Sequence, residues 1–236
     1  MSLEIRGLYK SYGKLELFRD FSISFREGEI TCILGPSGCG KTTLLNIIGN
    51  IVSPDRGTLE GFGGKVFSYI FQDPRLLPWK NVKSNIGFIL DRSMEPGERE
   101  KITDRFIRMV GLENFAGYYP SKLSGGMRQR VSIARAFAYP SDIILMDEPL
   151  KGLDLKLKLN LIQTFYHIWK EERRTVIFVT HDVDEALLLG NEIVVFSKAP
   201  VKISARKNVE LPFYDRSLES DYFRGLEQEL HKSIGL

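Results

Sequence analysis

Nine residues, Gly35-Pro36-Ser37-Gly38-Cys39-Gly40-Lys41-Thr42-Thr43, have the G-x-x-x-x-G-K-[ST] spacing of a loop that wraps phosphates. Glycines let the backbone approach a polyanion closely, and a helix starting there adds the favourable end of its dipole. Lys41 can reach β- and γ-phosphates, and the Thr42 hydroxyl can ligate Mg²⁺. A second phosphate-binding corner, Ser124-Gly125-Gly126, lies far along the chain in Leu123-Ser124-Gly125-Gly126-Met127-Arg128-Gln129-Arg130. Its hydroxyl and helix-opening N–H groups suit the same anion, and Ser124 is equally a good helix cap. A chain with one complete phosphate loop has no use for a second on its own nucleotide, so the pair predicts ATP held between two copies.

Carboxylates come next. Ile143-Ile144-Leu145-Met146-Asp147-Glu148-Pro149 reads as a buried strand running into two acids beside the phosphate loop. Asp147 would hold Mg²⁺, and Glu148 would polarise an attacking water, a general-base role typically contributing ~10²–10⁴-fold. Thr175-Val176-Ile177-Phe178-Val179-Thr180-His181-Asp182 repeats the arrangement with His181 at the strand end, and Gln72 follows another strand candidate at 66–71. His167 and His231 have no such setting and read as ordinary surface or packing residues. No covalent nucleophile is needed, because phosphoryl transfer to water depends on positioning and charge stabilisation.

These residues must be delivered by a sheet with its strand ends aligned. Alternation at Phe21, Ile23 and Phe25 predicts an antiparallel strand, and the apolar run 30–34 a buried one that ends at the phosphate loop. Helical spacing follows over 42–49, then a turn at 53–57. Residues 82–140 carry helical patterns and read as an insert, after which strands at 143–146, 175–179 and 192–196 alternate with helices at 155–172 and 182–189. A short strand-like piece spans 201–211, and Leu218, Tyr222, Leu226 and Leu230 predict an amphipathic helix in the tail. The expected organisation is a single α/β domain over 1–236. Segments 1–81 and 141–211 would form the nucleotide-binding core with a β subdomain, 82–140 a helical subdomain and 212–236 a helical tail.

Composition sets outer bounds. The 236 residues are 43% hydrophobic and 27% charged, ordinary for a globular chain with a substantial core. A net charge of +3, with no basic stripe, gives no support to nucleic-acid binding. No apolar run approaches the ~18 residues of a membrane span, and the N-terminus lacks a charged-then-apolar leader, which predicts a cytosolic chain. Cys32 and Cys39 are expected to be reduced, since neither a disulfide framework nor a zinc site suits their positions.

With these motifs in this order over residues 3–196, the chain resembles the ATP-binding-cassette ATPases. That resemblance implies a P-loop NTPase core with a mainly parallel sheet, an N-terminal antiparallel β subdomain and a helical subdomain insert. It implies that Gly35 to Thr43 bind ATP, with Mg²⁺ held by Thr42, Gln72 and Asp147, and that Lys41, Gln72, Glu148 and His181 serve hydrolysis. Ser124, Gly125 and Gly126 would contact the γ-phosphate bound by the other subunit of a homodimer. Tyr12, in Tyr9-Lys10-Ser11-Tyr12-Gly13, would stack on adenine; taken without the resemblance it reads equally as a buried strand aromatic. Asp154, in Lys151-Gly152-Leu153-Asp154, occupies the place of a loop that communicates across the dimer. Two residues depart from the family pattern: Lys151 stands where a small residue is usual, and Met127 where many relatives have glutamine.

Residues 71–79, the 123–130 run and residues 179–186 are most similar to ATPases of nitrate, sulfonate and taurine importers, a group that includes thiamine-precursor systems. The partners implied are membrane permease subunits and an extracytoplasmic solute-binding protein, with the chain peripheral on the cytoplasmic face of the cell membrane. Leu76, Leu77 and Trp79, bounded by prolines, would either expose an apolar patch to a permease or pack within the domain. The segment 57–65, with Gly61, Gly63 and Gly64, reads as a trimmed turn between strands. An exporter or lipid-release ATPase would use the same catalytic residues. A DNA- or ribosome-associated cassette protein usually carries two cassettes or a coiled-coil insert, and a non-hydrolysing adapter would not need Glu148 and His181 together.

Overall fold

A computed structural model describes residues 2–90 and 94–234; Met1, residues 91–93 within the expected helical insert, and Gly235 and Leu236 of the tail lie outside the described residues. In chain order, β1 (Ser2–Tyr12) and β2 (Leu15–Arg26) form a long hairpin, followed by β3 (Ile30–Leu34), α1 (Lys41–Ile48) and β4 (Arg56–Glu60). β1, β2 and β4 make a three-stranded antiparallel sheet of order β2-β1-β4. The segment 57–65 is not all turn, because β4 takes its first residues and 58–60 pair with β1. An edge strand of sequence RGTLE buries almost nothing, so no apolar alternation marked it.

The second sheet has six strands in the order β5-β6-β7-β3-β8-β9. β5 (Phe67–Phe71), β6 (Ile143–Asp147), β7 (Thr175–Thr180), β3 and β8 (Glu192–Phe196) run parallel, and β9 (Ile203–Asn208) closes the edge antiparallel to β8. Helices on both faces explain the near-continuous apolar runs. Cys32, Leu34, Ile144, Met146, Val176 and Phe178 face one core, packed with α4 (Gly125–Ala138), α5 (Leu155–Glu172) and α6 (Val183–Leu189). Ile33, Leu145, Ile177, Val179, Val194 and Phe196 face the other, with α1 and the antiparallel sheet. Fully burying each such side chain contributes ~1.5–3 kcal/mol, which holds the strand register on which the site depends. Both cysteines are free and buried.

In the helical insert, α2 (Val82–Gly87), α3 (Pro96–Met109) and α4 pack on one another, and α4 also packs on α5. Asn85 of α2 is fully buried: its Oδ1 accepts from Leu77 N–H at 2.8 Å, and its Nδ2 donates to Leu77 O and Lys80 O. The loop after β5 is thereby tied to the insert. Within that loop the expected patch divides. Leu76 packs on the core and Leu77 is half-buried, while Trp79 is 70% exposed.

The tail helix is α7 (Asp221–Ile234), and its buried residues are Phe223 and Leu230. The expected stripe had the wrong register at two points. Leu218 precedes the helix, and Tyr222 is 41% exposed, whereas Phe223 takes the core position with Leu226 packed beside it. A one-residue ambiguity between adjacent aromatics is resolved only by what α7 lies against, namely α6, β8 and β9. No helix among the described residues is long and apolar enough to cross a membrane.

Candidate nucleotide site

Parallel register brings the site together. Phe71 pairs with Asp147, Asp147 with Val179, and Leu34 with Thr180, so four strands end in step. The residues that follow, Gln72, Glu148, His181 and Gly35, emerge along one carboxyl edge, where open α/β sheets bind ligands. Beside this edge is a cavity of about 400 Å³. Tyr12, Leu15 and Leu17 of the antiparallel hairpin line it together with Ser37, Gly38, Gly40, Lys41, Thr42 and Thr43 of the loop and Gln72, Asp147 and Glu148 of the sheet edge.

The loop itself is built for close approach. Gly40 has φ 103°, and a Cβ there would lie 2.9 Å from Leu17 Cγ and 3.1 Å from Phe18 Cζ, so only glycine lets β2 rest on the loop. Lys41 is buried, and its Nζ donates to Gly35 O at 2.7 Å and Pro36 O at 3.0 Å. Cys39 turns its thiol into the core under the loop, leaving only its backbone to face a ligand. Gly35, Pro36 and His181 line an adjoining hollow of about 350 Å³ together with Ser37. Tyr12, the last residue of β1, lines the cavity and is 50% exposed rather than buried, with Lys10 Nζ 5.4 Å from its ring centroid.

Asp147 and Glu148 are adjacent in sequence and differ in environment. Asp147 Oδ1 accepts from the Thr42 hydroxyl at 2.9 Å. Burial raises its carboxyl above the ordinary Asp value; the Glu148 charge adds to this and the Thr42 hydrogen bond opposes it. Glu148 has φ 45°, unusual for a non-glycine, and is held by its N–H donating to Val179 O at 3.0 Å. Its Oε2 lies 2.5 Å from Lys151 Nζ and its Oε1 3.2 Å from His181 Nδ1. Burial pushes the Glu148 carboxyl up, and these neighbours together outweigh it, so the net shift is downward. Thr42, Asp147 and the Gln72 amide are hard oxygen donors in one place. Among the described residues there is no cluster of three or more His, Cys, Asp or Glu fit to hold a metal. That donor set fits Mg²⁺, which takes one or two protein oxygens and fills its octahedron with phosphates and water.

The second phosphate corner is not part of this cavity. Among the described residues lining it, none comes from 123–130. Ser124 caps α4, its Oγ accepting from Met127 N–H at 3.3 Å, and Gly126 is buried against Leu157 of α5. Asp154 likewise caps its helix, Oδ1 accepting from Leu157 N–H at 3.0 Å. Sequence reasoning missed the residues that lock these loops. Gln129, 2% exposed, donates from Nε2 to Pro149 O at 2.8 Å and Phe71 O at 3.3 Å, joining α4 to the ends of β6 and β5. Arg135 of α4 donates to Pro74 O and Arg75 O in the loop after Gln72. Lys158 of α5 pairs with Asp182 and, at 2.8 Å, with Glu185, whose Oε2 also accepts from Thr180 Oγ1, so the turn bearing His181 is pinned from both sides. Gln129 lies in the 123–130 motif and could have been singled out there; Lys158 had no local signal.

A mainly parallel sheet with a phosphate loop, two strand-end acids and a histidine on one edge, and a capped Ser-Gly-Gly helix apart from them, defines a nucleotide-hydrolysing cassette. Residues 18–151 match the ABC transporter family, and the chain belongs to that family as an ATP-binding, ATP-hydrolysing subunit. It is 38% identical to the aliphatic sulfonates import ATP-binding protein SsuB of Bacillus licheniformis, over 99% of this chain and 94% of that one. The taurine import ATP-binding protein TauB of Escherichia coli O157:H7 is 35% identical over 96% and 91% of the two chains. Among solved structures, a dimeric ATP-binding cassette in a post-hydrolysis state with ADP and Pi superposes with a TM-score of 0.72 at 29% identity, covering 90% of this chain and 100% of that one.

Proposed function

We propose that the chain is the motor of an importer of a small solute of the nitrate, sulfonate, taurine or thiamine-precursor kind. It works as a homodimer on the cytoplasmic face of the membrane, with permease subunits and an extracytoplasmic solute-binding protein. The observation that carries the homodimer is the separation of two candidate phosphate-binding elements: Lys41, Thr42, Gln72, Asp147 and Glu148 line one cavity, with His181 on the same sheet edge, while Ser124, Gly125 and Gly126 stand outside it. The names of the sulfonate and taurine import relatives support the direction of transport and the solute class.

In this reading adenine stacks on Tyr12, and the backbone from Gly35 to Thr43 surrounds the phosphates. Lys41 exchanges the carbonyls of Gly35 and Pro36 for phosphate oxygens, a stronger charge-assisted contact. Thr42, Asp147 and Gln72 would hold Mg²⁺, which supplies charge neutralisation at the terminal phosphates. Glu148 accepts the proton of the attacking water, while His181 orients that carboxylate and faces the departing phosphate. The partner subunit's signature corner completes the γ-phosphate site when the dimer closes, and Asp154 links the two sites. Position 124 tests this: Ser124→Arg should leave ATP binding near the wild-type value and abolish most hydrolysis. A variant that hydrolyses normally as a monomer sinks the split-site reading. For the cargo, cells lacking the chain should lose uptake of labelled taurine or alkanesulfonate; intact uptake with impaired export would favour the exporter reading.

A further inference from the structure

Lys151 projects from the turn after β6 with a side chain 43% exposed, and its Nζ lies 2.5 Å from Glu148 Oε2. The same side chain lines the 400 Å³ cavity with Lys41, Thr42 and Glu148, and a neighbouring hollow of about 460 Å³ with Gln72 and Asp147. It therefore shares a cavity wall with Lys41 and Thr42, the residues that would hold the terminal phosphates of a nucleotide. Its side chain is part-exposed on a turn rather than buried in either core. An ammonium on four flexible carbons re-aims easily, and a phosphate oxygen offers it a charge-assisted hydrogen bond to a group of higher negative charge than a carboxylate.

We propose that Lys151 is a ligand of the terminal phosphate: in the nucleotide-free chain it rests on Glu148, and when ATP enters it moves to γ-phosphate oxygens. The exchange rests on the ATPase reading above and deepens it. It has two consequences. A third cation, besides Lys41 and the metal, reads the presence of the γ-phosphate and so separates ATP from ADP. Glu148, relieved of Lys151, keeps His181 on one oxygen and presents the other to water, so the carboxylate is freed only when there is a phosphate to attack.

The test is equilibrium binding of ATP and of ADP by displacement of a fluorescent nucleotide, with EDTA present so that the contact measured is to phosphate itself and nothing is hydrolysed. Lys151 lies on an exposed turn, so Lys151→Met should fold like the wild type, and unchanged melting temperatures check that. Lys151→Met is expected to lose about tenfold in ATP affinity, the low end for a charge-assisted hydrogen bond because the ammonium is part-exposed. Its ADP affinity should stay within about twofold, and Lys151→Arg should retain the preference for ATP. Equal losses for both nucleotides, no loss, or a gain for ATP overturns the proposal. Failure of the wild-type chain to bind either nucleotide would instead count against the ATPase reading.

Discussion

Replacing Gln129 with leucine tests whether α4 holds the loops after β5 and β6 in place. Gln129 is 2% exposed, and its amide nitrogen satisfies Pro149 O at 2.8 Å and Phe71 O at 3.3 Å. Leucine fills a similar volume but leaves both carbonyls without that donor. An orphaned buried acceptor costs ~1–3 kcal/mol, with the longer bond at the lower end. Extra apolar burial returns about 1 kcal/mol, so the net loss should be about 2 kcal/mol. In a chain of 236 residues that corresponds to a melting temperature lower by ~4–8 °C. Urea denaturation should show the same loss at unchanged slope. Phe71 precedes Gln72 and Pro149 follows Glu148, so small displacements reach the two residues proposed to act on metal and water, and kcat should fall by about tenfold or more. ATP affinity should change little, because Lys41, Thr42 and Tyr12 are not in contact with the substitution. If Gln129→Leu melts within about 1 °C of the wild type and turns over ATP normally, this account of how α4 supports the site is wrong.

Asp147 supplies a pH-dependent prediction. Its carboxyl lies above the ordinary value of 3.8 chiefly because it is buried, so the ionised form is disfavoured in the folded chain. That destabilisation is present above the raised value and disappears as the pH falls to 3.8. Asp147→Asn should therefore stabilise the nucleotide-free protein at pH 7 by about 1 kcal/mol, as is common when a functional site is relieved, seen as a higher melting temperature, and the gain should shrink on acidification through that window; a lower melting temperature at pH 7 would contradict it. Phe223→Ala should cost ~3–5 kcal/mol in denaturation, since this residue of α7 is 1% exposed; a loss below 1 kcal/mol would mean that α7 is not anchored there. Trp79→Asp, at a side chain 70% exposed, should leave stability within ~0.5 kcal/mol and the ATPase rate of the free cassette unchanged. The same substitution should remove stimulation of that rate by the membrane subunits, and a retained response would separate Trp79 from the docking surface.

Much of this protein is local and was legible as such. The phosphate loop, the acids after an apolar run, the histidine after another, and the Ser-Gly-Gly corner are contiguous motifs whose spacing reflects backbone geometry over fewer than ten residues. Strands buried on both faces have no choice but to be apolar throughout, so β3, β6, β7 and β8 were readable and with them the α/β class. Tertiary structure decided whatever depends on a neighbour distant in sequence. β4 exists because β1 offers it an edge, and Phe223 rather than Tyr222 faces inward because α7 meets β8 and β9 there. Trp79 is exposed and Leu76 covered for the same reason. Asp147 and Glu148, adjacent in the chain, are pushed in opposite directions because one is buried beside a hydroxyl and the other meets Lys151 and His181. Sequence determined which groups could act on a nucleotide; only packing, through strand register and long-range hydrogen bonds such as those of Gln129 and Lys158, decided which ones share a cavity and which wait outside it.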